Sequence, residues 1–148
     1  MKILNKMNVS IDDILTTSNK VMPVVGGNVM RGIRKTDAGF AGFGEAYFSY
    51  IEPKKIKAWK KHFKMTLNLI VPYGNVMFVF MDEKRQFRKE IIGDTKKIRL
   101  SVPPGLWFGF KGLGNKESII LNISNIIHDD NEVVRKDCDS IDYDWNTK

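Results

Sequence analysis

Seven short segments between residues 45 and 124 constrain this chain more than any other feature. EAYFSYIE, MTLNLIV, NVMFVFM, FRKEIIG, KKIRLSV, LWFGF and SIILNIS follow one another at short intervals, most of them closed by Gly, Asp or Pro. They are rich in β-branched and aromatic residues, and in MTLNLIV the apolar Met65, Leu67, Leu69 and Val71 share one face. Strands at this spacing with no helical period between them predict an all-β sandwich or barrel. No internal repeat of about 20 to 50 residues is visible, which excludes a solenoid or propeller. Upstream, Ser10 followed by IDDIL predicts a short capped helical turn. Six glycines between Gly26 and Gly44 are too many for a helix interior and predict a tight loop feeding a strand. Within 148 residues this makes one domain, 1–148, with a core over about 26–126 and a polar arm over 127–148 that folds back on it.

Composition narrows the function classes. No apolar run reaches the roughly 18 residues of a membrane helix, and MKILNKMNVSIDD lacks the apolar stretch of a secretory leader. One cysteine, Cys138, allows no internal disulfide and fits a reducing cytoplasm. Two histidines, His62 and His128, exclude a multi-histidine metal centre within one chain. The charge is uneven: residues 128–148 hold seven acids against three bases, while the other 127 residues carry 21 bases against 10 acids, a net +11. Such a body attracts anions, whether nucleic acid, an anionic membrane surface or a phosphorylated small molecule.

Two constellations carry chemistry. Pro53-KKIKAWKKHFKMTLN sets six lysines around Trp59 and His62 and reads as a polar turn between strands. Lysines with Trp59 or Phe63 suit phosphate and base, but no nucleic-acid-binding motif surrounds them. The outer lysines Lys54, Lys55 and Lys61 read as a solvated turn, whereas some of Trp59, Lys60, His62 and Lys64 must point inward. Cationic neighbours favour a neutral His62, the form able to take a proton; the alternative is a core histidine with a satisfied hydrogen bond. His128, beside Asp129 and Asp130, reads as structural or exposed. The second constellation is SVPPGLWFGF, where a Pro-Pro-Gly turn opens a strand with Trp107 and Phe108 on opposite faces. One of them is a platform for a sugar or base, or ordinary core filling, and a one-residue slip of register exchanges them.

The order of a strand, a Pro-bounded turn with a histidine, a strand ending in a glycine turn and a Pro-Pro-Gly strand resembles the cupin jelly roll. The metal-binding signature of cupins, laid on this chain, puts its ligands at Lys60, His62, Thr66 or Leu67, and Phe108, so the resemblance implies a metal-free cupin without cofactor. Among these the chain is similar to the dTDP-4-dehydrorhamnose 3,5-epimerases over roughly residues 26–145. VPPGLWFGF resembles their Pro-Pro-Gly-x-x-His-Gly-Phe segment, KAWKKH their Arg-Gly-Leu-His turn, and HDDNEVVRKDCDSIDYDW their acidic closing segment. The Pro-Pro-x-x-Trp pattern at Pro103, Pro104 and Trp107 also resembles the nucleotide-sugar 3,4-ketoisomerases, whose His-Ala-His-Lys motif is here Lys60-Lys61-His62-Phe63.

The resemblance implies a cytoplasmic isomerase of bacterial surface-polysaccharide sugar biosynthesis, acting next to the C4 ketone of a dTDP-4-keto-6-deoxy sugar. It makes His62 the base, Asp137 or Asp139 its orienting carboxylate, and Lys64 the cation beside the enolate. The family's second histidine becomes Phe108, and its tyrosine acid becomes Asn122. Arg31 or Arg34, with Lys60 or Lys64, would neutralise the diphosphate; Trp59 or Trp107 would stack on base or sugar; Tyr47, Asn68 and Asn122 complete the candidate substrate contacts. A homodimer paired through an open sheet edge is expected, with no membrane or nucleic-acid partner. The alternatives are a 3,4-ketoisomerase and a non-catalytic sugar-nucleotide-binding cupin.

Overall fold

A computed structural model describes residues 8–146; the reading of a missing leader at residues 1–7 and the charge at Lys148 lie outside them. Ser10 opens a single 3₁₀ turn, Ile11–Asp13, through a capping box in which its hydroxyl accepts from the Asp12 N–H while Asp13 accepts from the Ser10 N–H. The strands follow as β1 (Leu15–Ser18), β2 (Val21–Met22), β3 (Val29–Met30), β4 (Glu45–Ile51), β5 (Ile56–His62), β6 (Leu67–Tyr73), β7 (Asn75–Met81), β8 (Phe87–Gly93), β9 (Ile98–Val102), β10 (Trp107–Gly112), β11 (Ser118–Ser124) and β12 (Val133–Arg135). Two antiparallel five-stranded sheets face each other, in the orders β1-β9-β6-β11-β4 and β12-β5-β10-β7-β8, and β2 pairs with β3 in a small separate hairpin. This is the expected jelly roll. Among the described residues no helix is long and apolar enough to cross a membrane.

The segments read as strands are strands because their apolar faces meet. Leu67, Leu69 and Val71 of β6 pack against Val76, Phe78 and Phe80 of β7 in one buried cluster. Gly74, between them, takes φ +88°, and a Cβ there would overlap the Ser118 side chain, so only glycine makes this turn. NVMFVFM shows no alternation because both of its faces are covered: Met77, Val79 and Met81 point outward and are buried under Ile141 and Trp145 of the arm. The glycine-rich loop lies over the outside of the first sheet. Buried Arg99 donates to the carbonyls of Gly32 and Ala38 at 3.0 Å each, and buried Asn68 donates to Gly39 O at 3.0 Å.

The lysine-rich run departs from expectation. It is no turn but strand β5, paired with β10 on one side and β12 on the other. Its register with β10 shifts beside Trp59: Lys60 stands opposite Phe108, but Ala58 opposite Gly109. The extra residue sends Trp59 outward into the arm's cluster, 5.3 Å from the Trp145 ring, while Lys60 and His62 face inward.

Candidate active site

The two sheets part over a cavity of about 750 Å³. Its depth is apolar, with Leu67, Leu69, Phe78, Phe110 and Ile120; Tyr47, Ser49 and Asn122 bring polar groups from the first sheet; exposed Lys57, Arg135, Lys136, Asp137 and Cys138 form the mouth, with Lys60 in the wall. Among the described residues neither Lys60, Arg135 nor Lys136 forms an ion pair. Burial lowers the Lys60 pKa, and Arg135 and Lys57 beside it lower it further. Cations crowded at a half-closed mouth gain from an arriving anion, which relieves their mutual repulsion.

His62 stands at the end of β5, 4% exposed, with its ring stacked on the cavity-lining Phe108 at 6.1 Å. Its Nδ1 lies 2.5 Å from Oε2 of Glu132, a residue 2% exposed that also accepts the N–H groups of Lys64 and Met65 at 2.9 Å each on Oε1. β12 places that carboxylate: Val133 pairs with His62, and Phe63 N–H donates to Glu132 O, which sets Glu132 beside the imidazole. Burial alone would raise the Glu132 pKa, but the hydrogen bonds from His62, Lys64 and Met65 outweigh it and hold the carboxyl below its ordinary value. For His62, burial lowers the pKa, Glu132 opposes this, and Lys60 and Arg135 add to the lowering, so the net direction is down. The pair therefore rests as carboxylate and neutral imidazole, with the proton on Nδ1. Among the described residues the buried Nε2 has no hydrogen-bond partner. A ring held in one tautomer by a carboxylate, with its second nitrogen bare, is arranged to accept a proton.

On the opposite wall Asn122 Nδ2 donates to the Tyr47 hydroxyl at 2.9 Å, and Asn122 Oδ1 accepts the Asn68 backbone N–H at 3.1 Å. Among the described residues no three His, Cys, Asp or Glu side chains gather in a metal-binding group.

Of the residues singled out in the sequence, Tyr47, Lys60, Asn122 and Asp137 line the cavity and His62 adjoins it. The others are elsewhere. Asp137 is exposed at the mouth and neither it nor Asp139 holds His62, because the chain leaves β12 before reaching them; the carboxylate is Glu132. The Lys64 side chain is exposed outside the cavity, just past the end of β5, and only its backbone reaches Glu132. Asn68 is buried on the outer face of β6, accepting from Ser101 and donating to Gly39 O. Arg31 lies beyond the β2–β3 hairpin, its N–H on Lys20 O, and Arg34 pairs with Asp37. Trp107 packs outside the second sheet under Lys61 and Lys136, 5.1 and 4.8 Å from its ring centroid. Trp59 touches the wall, but its ring belongs to the arm cluster and its Nε1 donates to Cys138 O. Exposed His128 pairs with Asp130. Glu132, Lys57, Arg135 and Lys136 were missed. The signal for Glu132 was the Val-Val pair after it, a short strand inside a polar arm.

No family model matches the chain. It is 25% identical over 114 residues to a probable low-salt glycan biosynthesis epimerase, Agl13, of Haloferax volcanii, covering 70% of this chain and 73% of that protein. The crystal structure of a dTDP sugar isomerase from Desulfovibrio desulfuricans superposes with a TM-score of 0.86 at 30% identity, over 90% of this chain and 91% of that one. The chain belongs to the dTDP-sugar isomerase and epimerase cupins. Like them this cupin is an isomerase-type enzyme. A dTDP-4-dehydrorhamnose 3,5-epimerase from Sulfolobus tokodaii shares its fold, with a TM-score of 0.78 at 17% identity over 92% of this chain and 84% of that one.

Proposed function

We propose that this cupin is an epimerase-like enzyme of nucleotide-sugar biosynthesis that removes a proton next to the C4 ketone of a dTDP-4-keto-6-deoxy sugar. One observation carries the reading: a buried imidazole whose Nδ1 is tied to Glu132 and whose Nε2 has no partner among the described residues, beside a cavity with a basic mouth. The diphosphate meets Lys57, Arg135 and Lys136 at the mouth, and the 6-deoxy sugar, with its apolar methyl, lies toward Phe110 and Ile120. His62 Nε2 takes the proton. The electron pair moves onto the ketone oxygen, where the cation of Lys60 replaces the enolate role first given to Lys64. Asp137 at the mouth is a substrate contact rather than the partner of the base.

The enzyme acts in the cytoplasm, where exposed Cys138 stays reduced, and as a homodimer. Support for the dimer comes from β4, an edge strand whose outer face presents Phe48 and Tyr50, 59% and 51% exposed. Light scattering checks this, with a mass near twice 17.0 kDa as the expected outcome. Proton NMR with dTDP-4-keto-6-deoxyglucose in D2O tests the chemistry. Solvent deuterium is expected at C3 or C5, lost in His62→Asn. Binding of the sugar nucleotide without exchange at either carbon would sink the reading.

A further inference from the structure

We propose that Trp59 is the positioning residue of the anion-binding mouth: its indole N–H fixes the rim segment 136–138 where it meets the diphosphate. This rests on the reading above that the basic mouth takes that group.

The rim is joined to the sandwich at few points. β12 ends at Arg135, opposite Lys60, and the next three residues, Lys136, Asp137 and Cys138, all line the cavity. Lys136 continues the pairing by one step: Trp59 N–H donates to Lys136 O and Lys136 N–H to Trp59 O, each at 3.0 Å. Beyond it the ladder stops. Asp137 O accepts from the Ser140 N–H and hydroxyl, inside the arm itself. Cys138 O is taken by the indole Nε1 of Trp59 at 3.0 Å. Among the described residues, every hydrogen bond between 136–138 and the sandwich comes from Trp59.

The ring is itself held. The bulge in β5 turns Trp59 to the outer side of the second sheet while Lys60 stays on the inner wall. There the ring of Trp145 stands 5.3 Å away and that of Tyr143 lies edge-on at 6.5 Å, leaving Trp59 1% exposed. An indole nitrogen donates and never accepts, so a ring fixed in this way commits its N–H to one carbonyl. The later half of the arm clamps the ring, and the ring clamps the rim.

Order at the rim decides affinity. A cation gains fully from an anion only when it is already in place, and a rim that samples other positions must be ordered on binding, at the expense of affinity. The proton-transfer pair is held separately. Glu132 precedes β12 and is tied to His62, Lys64 and Met65, so loss of the indole N–H separates binding from chemistry.

Two substitutions tell the donor from the packing. Trp59→Phe keeps a ring and loses the N–H. Trp59→His packs less well, but its Nε2–H falls where the indole N–H stood. By calorimetry at a pH of about 8, where histidine is neutral, dTDP binding is expected to weaken about tenfold in Trp59→Phe and less than about threefold in Trp59→His, although the histidine variant is the less stable. With dTDP-4-keto-6-deoxyglucose in D2O, the KM for exchange is expected to rise about tenfold in Trp59→Phe, with kcat within about threefold of wild type. Wild-type protein gives a further measurement should the variants not fold. Exchange of the Trp59 indole N–H with D2O, followed by NMR, is expected to slow about tenfold when dTDP saturates the mouth, beyond any slowing of the β7 amides, because ligand and docked rim favour each other. Equal affinity of wild type and Trp59→Phe overturns the proposal. So does weaker binding by Trp59→His than by Trp59→Phe, a fall in kcat at unchanged affinity, or an indole N–H that dTDP does not protect. A wild-type protein that binds no dTDP removes the reading of the mouth, and this proposal with it, before any substitution is made.

Discussion

β5 and β7 lie in one sheet, separated by β10 alone, and are built to opposite ends. The inner face of β7 is Val76, Phe78 and Phe80, all 0% exposed; the inner face of β5 offers Lys57, Lys60 and His62 to the same gap. Phe78 and Phe80 join Phe108 and Phe110 in a continuous aromatic stack, with ring centroids 5.6 to 6.3 Å apart. On β5 the desolvated amine of Lys60 and the unpartnered Nε2 of His62 are groups whose burial costs free energy until a ligand arrives. The contrast teaches where the molecule spends stability. One strand closes the sandwich, and its neighbour but one holds it open.

Four measurements break or sharpen the contrast. Phe78→Ala opens the packed strand and is expected to cost about 3–5 kcal/mol in denaturant unfolding; a loss under about 1 kcal/mol would mean that β7 is not the closed wall described. Glu132→Gln leaves acceptors for the Lys64 and Met65 N–H groups but removes the charge that holds His62. Exchange into the sugar is expected to fall about 100-fold, with the thermal midpoint within a few degrees. An unchanged rate would reduce Glu132 to a structural brace. Lys60→Met is the opposite of Phe78→Ala: unfolding free energy rises by about 1 kcal/mol because a desolvated cation is gone, while exchange into the sugar slows about 100-fold. An unchanged exchange rate would take Lys60 away from the enolate oxygen. The smallest effect is a shift. Because burial depresses the His62 pKa, the acid limb of kcat/KM is expected below the ordinary imidazole value of 6.5. The same depression, with that of Glu132, means the unfolded chain binds more protons. The contribution of these two groups to stability is therefore full above about 6.5, and falls as pH drops through that value and then through the Glu132 range below 4.5. An acid limb above 6.5 would show His62 charged at rest.

How much was legible follows from these two strands. NVMFVFM and LNLIV obey patterns set by burial, so their residues reveal their state wherever they are read. IKAWKKH breaks the pattern because its inner positions face a cavity, and polarity then reads as a turn. His62, Lys60 and Asn122 are candidates by residue type and position in a motif. Glu132 is not, since seven acids share the last 21 residues and only pairing with β5 distinguishes one of them.

The sequence alone determined an all-β sandwich, its glycine and proline turns, a basic body with an acidic arm, and the histidine proposed as the base, because these depend on periodicity, on backbone freedom and on which side chains hold protons near neutrality. Tertiary structure alone decided that Phe108 faces the cavity and Trp107 does not, that Lys60 rather than Lys64 turns inward, and that Glu132 holds the imidazole. A bulge at Trp59 and the docking of β12 set these outcomes. Register and pairing between distant segments are sums over many weak contacts, and no single residue carries them.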